Sequence, residues 1–243
     1  MHIWPFRKKK TLEGSGFFTG FCDWHSHILP GVDDGVKTME ESLQILHIYE
    51  DAGVAELWLT PHIMEDVPNT TAQLRNRFGE IQSAYHGPIV LHLAAEYMMD
   101  TLFEERLESG DLLPAGPEQD HLLVETSCYN PPIDLEGILM KVKSKGYYPI
   151  LAHPERYHYM DMDRYRSLKA EGIRFQLNLP SAAGFYSPDT KGKAEQLLKN
   201  GWYEFLGCDI HRVHMAEKLL NTKYQTKVLD RIRRIQNLRG YEI

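Results

Sequence analysis

No apolar stretch in this 243-residue chain approaches the roughly 18–20 residues that a membrane-spanning helix needs, so the sequence is not read as membrane-spanning. Its short basic and aromatic start, His2 to Lys10, is not followed by the apolar segment of a secretory signal. Cysteine is scarce. Cys22, Cys128 and Cys208 have no zinc-type spacing, and an odd count argues against a disulfide framework and fits a reducing cytoplasm. None has an arginine six positions later, where Ile28, Asp134 and His214 stand, so the cysteine-phosphatase loop is absent. The P-loop, HExxH and GxSxG patterns are missing too. A formal net charge of −7 disfavours non-specific nucleic-acid binding, although a local basic patch is compatible with it.

What is present is the length and composition of one large globular domain, a size that single α/β barrels commonly reach. Residues 1–20 read as an N-terminal extension, with Arg7-Lys8-Lys9-Lys10 followed by Gly14, Gly16 and Gly20. Composition favours a mobile tail there; docking to an acidic partner or a membrane surface is the alternative. From residue 21 to 243 strand and helix patterns alternate. Phe21 to His27 reads as a strand, and Thr38-Met39-Glu40-Glu41 has capping-box form and opens a helix that Gly53 stops. Ala55–Thr60 is the next strand, and Thr70-Thr71-Ala72-Gln73 starts the next helix. Strands follow at 89–94, 121–124, 149–152, 173–178 and 204–207, with helices at 133–145 and from Ser187-Pro188 to Asn200. A last amphipathic helix spans Thr222–Leu238, with Val228, Ile232 and Ile235 on one face and Lys223, Lys227, Arg231, Arg233, Arg234 and Arg239 around them. That basic face is read as solvated, with docking or oligomerisation as the alternative.

Alternating β and α segments imply a parallel sheet, open or closed. Polar residues stand at the end of nearly every strand, which favours a barrel, because there every C-terminal strand end borders one centre. His25 and His27 are two apart, so the pleat sends both imidazoles to one side. Asp209 and His211 repeat that geometry at the last strand. His62 follows Leu57-Trp58-Leu59-Thr60-Pro61, Glu96 follows Leu91-His92-Leu93-Ala94-Ala95, and Glu125 follows Leu122-Leu123-Val124. His153 ends Pro149–Ala152. A carboxylate straight after an apolar strand is costly unless solvated, paired or bound to a cation. Asp34, in the loop Gly31-Val32-Asp33-Asp34-Gly35, reads equally as a turn residue or as a ligand.

These nine candidates exceed what one ion needs and suit two or three ions of manganese, iron, zinc or cobalt rather than calcium. Adjacent ions of that kind generate a hydroxide nucleophile near neutral pH and stabilise charge on a transferring phosphoryl group. Arg156, three residues after His153, is placed to grip phosphate oxygens bidentately, unless it is a surface arginine. Cys22 and Cys208 read as packed strand-end thiols rather than nucleophiles.

The chain resembles the PHP (polymerase and histidinol phosphatase) superfamily, and within it the bacterial metal-dependent protein-tyrosine phosphatases of capsule and exopolysaccharide systems. The resemblance is carried by Asp23-Trp24-His25-Ser26-His27-Ile28-Leu29-Pro30-Gly31-Val32-Asp33-Asp34-Gly35 and by Leu59-Thr60-Pro61-His62. It continues through Ala95-Glu96-Tyr97, Glu125, Ala152-His153-Pro154-Glu155-Arg156 and Cys208-Asp209-Ile210-His211, so that it covers residues 21–240. It implies a distorted seven-stranded β/α, TIM-like barrel that holds three divalent ions: manganese first, with iron, zinc, cobalt or magnesium as alternatives. By that pattern His25, His27, Glu96 and Asp209 serve one ion. Glu96, Glu125 and His153 serve the second, and Asp34, His62 and His211 the third. Arg156, Asp209 and His211 are the catalytic candidates, with Arg156 and Arg212 as phosphate contacts. The family pattern places a second arginine a few residues past the last Asp-x-His. Ala216 stands there here, and Arg212 is the nearby arginine.

The substrate implied by the resemblance is a phosphotyrosine protein, the tyrosine-rich tail of a membrane-associated tyrosine kinase that controls polysaccharide export. The location implied is cytoplasmic. Two rivals differ in class. A small-molecule phosphoesterase such as histidinol-phosphate phosphatase would use the same ions with a narrower pocket, and a scaffold would carry a degenerate site. Asn178, at the end of the sixth strand, is a candidate to orient water or substrate.

Overall fold

The computed structural model describes residues 9–235. The chain starts with β1 (Lys9–Thr11), a 3-10 turn (Glu13–Ser15) and β2 (Cys22–Asp23), followed by α1 (Met39–Ala52). Then come β3 (Glu56–Leu59), β4 (His62–Ile63), α2 (Thr71–Ala84), β5 (Val90–Leu93), β6 (Glu96–Met98) and α3 (Thr101–Ser109). The middle holds β7 (His121–Glu125), α4 (Leu135–Ser144), β8 (Tyr148–Ala152), a 3-10 turn (Pro154–Arg156), α5 (Met162–Ala170) and β9 (Arg174–Asn178). The rest is α6 (Leu179–Ala183), α7 (Pro188–Asn200), β10 (Phe205–Gly207), α8 (Val213–Asn221), β11 (Lys223–Gln225) and α9 (Thr226–Ile232).

Six strands pair in the order β10-β9-β8-β7-β6-β4, and three in the order β2-β3-β5. Every pairing within these two sheets is parallel, as the alternation of β and α requires. Two of the expected strands are interrupted. Thr60-Pro61 separates β3 from β4, and Ala94-Ala95 separates β5 from β6, so each switches sheets at the break.

The period of two along each strand divides the core. Leu57 and Leu59 of β3, Leu122 and Val124 of β7, and Phe175 and Leu177 of β9 pack on the helices. The opposite face gives a smaller apolar cluster that includes Trp24, Trp58, Leu123, Ile150 and Phe205. Gln176 points to that inner side, between two outward apolar neighbours. Both predicted helix starts are capping boxes: the Thr38 hydroxyl accepts from Glu41 N–H, and Thr70 does the same for Gln73.

Three expectations are corrected. Residues 9–20 are not a tail. β1 pairs antiparallel with β11, and Leu12 and Phe18 are buried in the main core. Arg7 and Lys8 lie outside the described residues. The helix expected from Thr222 begins at Thr226, because Thr222 is extended and buried Tyr224 sits in the strand beside Lys10. Val228 and Ile232 do line its buried face; Leu238 and Arg239 lie outside the described residues. Finally, α3, α5, α6 and α8 stand where no helix was expected. α3 and α5 have aspartate N-caps, with Asp100 accepting from Phe103 N–H and Asp161 from Arg164 N–H. Among the described residues no helix is long and apolar enough to cross a membrane.

If residues 9–20 belong to the folded core, Leu12→Ala lowers unfolding stability by about 2–5 kcal/mol in chemical denaturation. A change below about 0.5 kcal/mol, the level of ordinary surface substitutions, would return the segment to a tail.

Candidate metal centre

Because the strands run parallel, their C-terminal ends share one rim, and the nine candidate ligands meet there. His25 and His27 follow β2, His62 opens β4, and Glu96 opens β6 after the break in its strand. Glu125 ends β7, His153 follows β8, and Asp209 and His211 follow β10. Glu96 is the hub. Its Oε2 lies 3.1 Å from His25 Nε2, 3.2 Å from His27 Nε2 and 3.3 Å from His62 Nδ1, while Oε1 lies 3.1 Å from His153 Nε2. Glu125 Oε1 is 3.2 Å from His62 Nδ1. Asp209 Oδ1 is 3.4 Å from His25 Nε2 and 3.3 Å from His27 Nε2. Asp34 Oδ1 stands 3.5 Å from His62 Nε2 and 3.4 Å from His211 Nε2.

Three sets are compact enough to hold a cation: His25, His27 and Asp209; His62, Glu96 and Glu125; and His27, Asp34, His62 and His211. The donors fit that role on a second count. His25 Nδ1 faces Gln176 Oε1 at 2.7 Å, His27 Nδ1 faces Asp33 Oδ2 at 2.9 Å, and His211 Nδ1 faces the Asp209 carbonyl at 3.0 Å. An acceptor opposite Nδ1 places the proton there and leaves the Nε2 lone pair pointing into the rim, the arrangement of metal-ligating histidines. His62 Nδ1 lies within 3.3 Å of two carboxylates yet has no hydrogen-bond partner, which fits donors aimed at a shared ion.

The electrostatics agree. Burial alone would push the Glu96 carboxyl up, but His25, His153 and His27 hold it well below the usual carboxylate range. Burial pushes the His25 imidazole down, and Glu96 and Asp209 overrule it and lift it to about 9. His27 is likewise raised well above its ordinary value against its burial by Asp209, Asp33 and Glu96. This many buried carboxylates demand positive charge, supplied by protons on the imidazoles or by bound cations.

Local backbone geometry serves the same rim. His153 (φ 35°) and Asp209 (φ 51°) are left-handed, a conformation non-glycine residues seldom adopt. Gly35 is required because a Cβ there would lie 2.0 Å from the His27 carbonyl oxygen. The two aspartates of that loop divide the work. Asp33 is buried and accepts from His27 Nδ1 and His62 N–H (3.1 Å), while exposed Asp34 reaches the rim.

Beyond the ligands, Arg156 Nη1 donates to Asp209 Oδ2 at 2.9 Å, and its guanidinium lies 4.7 Å from the ring centre of Tyr186. Asn178 Nδ2 donates to the same Asp209 oxygen at 2.8 Å. Arg212 sits differently. Its Nη1 donates to the carbonyls of Asp34, Gly35 (2.8 Å) and His211 (2.7 Å), fastening the Asp34 loop to α8. Sequence reading passed over Asp33, Gln176 and Tyr186. A polar residue inside an apolar strand was the signal at Gln176, and the doubled aspartate at Asp33. Burial raises the thiols of Cys208 and Cys128, the latter against Arg156, so neither is an activated nucleophile.

The model of the family described as "Capsular polysaccharide synthesis, CpsB/CapC" matches residues 21–234. The putative tyrosine-protein phosphatase CapC of Staphylococcus aureus is 23% identical over 211 residues, spanning 83% of this chain and 82% of that protein. Tyrosine-protein phosphatase YwqE of Bacillus subtilis is 26% identical over 197 residues, 79% of this chain and 77% of its own. CpsB of Streptococcus pneumoniae, also a tyrosine-protein phosphatase, is 26% identical over 215 residues, 83% and 87% respectively. A crystal structure from work on YwqE and CpsB as "unique metal-dependent tyrosine phosphatases" superposes with a TM-score of 0.73 at 22% identity, covering 86% of this chain and 90% of that one. That likeness shows a shared fold.

Two outcomes follow for the rim. Gln176→Ala frees His25 Nδ1 and should weaken manganese binding about 10–100-fold by calorimetry; unchanged affinity would deny Gln176 an orienting role. In metal-free protein the raised His25 group adds stability fully present below pH 6.5, its unfolded value, and lost as pH climbs through about 9. Thermal midpoints of metal-free protein should therefore fall over that window, and saturating manganese should suppress the fall.

Proposed function

We infer the function from one premise, that the chain belongs to the capsular polysaccharide synthesis CpsB/CapC family, and from the geometry of its rim. The protein is a metal-dependent protein-tyrosine phosphatase, and the observation that carries this is the Glu96 hub with its converging imidazoles and carboxylates. Its substrate is a phosphotyrosine protein, a membrane-associated tyrosine kinase of polysaccharide export, met in the cytoplasm.

The three-stranded and six-stranded sheets form one distorted seven-stranded barrel. Support comes from the parallel bridge Ser26–Ile210, from His27 N–H donating to the Ile210 carbonyl at 3.0 Å, and from two strands that run on across both sheets. Such a barrel explains why one small apolar cluster lies apart from the main core. Residues 1–20 precede the barrel domain assigned to 21–243; of the described residues, 21–235 belong to it and 9–20 pack against its side.

Three divalent ions, manganese first, would be held by His25, His27, Glu96 and Asp209; by Glu96, Glu125 and His153; and by Asp34, His62 and His211. His62 stands between the second and third sets. Such ions would supply a hydroxide nucleophile at neutral pH and positive charge for phosphoryl oxygens. The chain's own groups do the rest. Asp209 offers one oxygen to the imidazoles and has the other fixed by Arg156 and Asn178, so its orientation is set before substrate arrives. Arg156 spends Nη1 on Asp209 and keeps further N–H donors for the phosphate. The phosphorus–oxygen bond to tyrosine breaks, water supplies the replacing oxygen, and a phenol of pKa near 10 leaves without strong acid help. Arg212, tied to the Asp34 loop, positions a ligand.

The test is phosphate release from a phosphotyrosine peptide and from histidinol phosphate, with manganese and with chelator. Manganese-dependent preference for the peptide is expected, and preference for histidinol phosphate would overturn the substrate. His153→Ala or Asp209→Ala should abolish turnover while circular dichroism stays native; retained turnover would remove the ligand assignment.

A further inference from the structure

Of the two arginines at this rim, Arg156 lies against Asp209, while Arg212 is held on the backbone of the Asp34 loop. Arg212 Nη1 is engaged by three carbonyls, and Ala216 is buried among apolar neighbours. Tyr186 brings a further hydroxyl to the same corner as Arg156 and Asn178. It follows α6 and Gly184, whose left-handed backbone (φ 87°) turns the chain back over the rim. The Arg156 guanidinium covers the Tyr186 ring at 4.7 Å.

The hydroxyl of Tyr186 faces inward. Asn178 Nδ2 donates to it at 3.2 Å and to Asp209 Oδ2 at 2.8 Å. A carboxylate can only accept, which fixes the amide orientation and makes the tyrosine oxygen an acceptor there. Its own proton then has no acceptor among the described residues. Although the residue is 41% exposed, its oxygen is turned to Asn178, and a phenol keeps its proton at neutral pH. Beside it, Asn178 Oδ1 is buried without a partner, so this corner holds unused polar capacity next to Arg156.

We propose that the Tyr186 hydroxyl donates to a non-bridging phosphoryl oxygen, the second side-chain contact to phosphate beside Arg156. It deepens the phosphatase reading and rests on it for the substrate, but not on the nature of the leaving group. A donor to the phosphoryl oxygens serves bound substrate and transition state alike, so its loss raises KM and leaves kcat nearly unchanged.

Tyr186→Phe tests this, since it keeps the ring over Arg156 and removes one hydroxyl. In manganese-loaded protein, the dissociation constant for inorganic phosphate, measured by calorimetry, should rise about tenfold, as expected for one hydrogen bond to a charged group. KM for the phosphotyrosine peptide should rise with it. Manganese content should match the wild type; a fall in metal content accounting for the loss would mean that Tyr186 merely props Asp209, and would overturn the proposal. Unchanged phosphate affinity in Tyr186→Phe, or no phosphate binding by the wild type, would overturn it too. A wild-type protein that binds phosphate through Tyr186 but does not hydrolyse the peptide would refute the phosphotyrosine reading and leave this contact standing.

Discussion

Everything at the rim depends on Glu96 being ionised in a place that water does not reach. It is 1% exposed and lies within 3.3 Å of four imidazole nitrogens. A lone carboxylate buried this way would take up a proton or unfold its surroundings. Here the counter-charge comes from strands distant in sequence, so the charge balance can exist only after the sheets have assembled. Removing one partner leaves the others uncompensated, a larger penalty than the loss of one contact.

Around that hub the second layer of residues explains why the ligands hold still. Asp33, Gln176 and the Asp209 carbonyl each accept from an imidazole, and Arg156 and Asn178 fix the outer oxygen of Asp209. The left-handed turns at His153 and Asp209 cost conformational energy that the packed strand ends absorb. These two residues are where the chain must leave a strand and still aim a side chain at the centre. Strain there is the counterpart of pre-organisation, because no ligand has to be bent into place when a cation or a phosphate arrives.

The sequence was most legible where local physics speaks alone. Thr38 and Thr70 declared their helices because a capping box needs four consecutive residues and nothing distant. The meeting of His62, Glu125 and His153 was legible because a polar side chain straight after an apolar run has few inexpensive environments. What could not be read was partnership across the chain. Gln176 and His25 are far apart in sequence, and no periodicity says that one receives the other's proton. Arg212 is a phosphate candidate by its neighbours in sequence, but that its Nη1 ties the Asp34 loop to α8 was not legible. The segment before residue 21 looked like a tail by composition, since Leu12 and Phe18 are too few to reveal a buried face without their partners. α3 and α5 were not legible although Asp100 and Asp161 are ordinary caps, because each buries only two side chains, too few for a periodic apolar stripe.

The pairing of β1 with β11 has a consequence for how the molecule is made. Lys9 lies beside Gln225, and Arg233 Nη2 donates to the Ser15 carbonyl at 2.6 Å. On the ribosome β1 therefore meets its partner strand only after all the elements from β2 to α8 have been synthesised. Phe18 can meet Phe21 and Tyr49 of α1 well before then, so it is the strand edge itself that waits. The barrier to completing such a distant contact is set by the entropy of closing the chain, not by any residue at the rim. Completion of this two-stranded pairing thus waits on the parallel sheets that lie between its halves in the sequence.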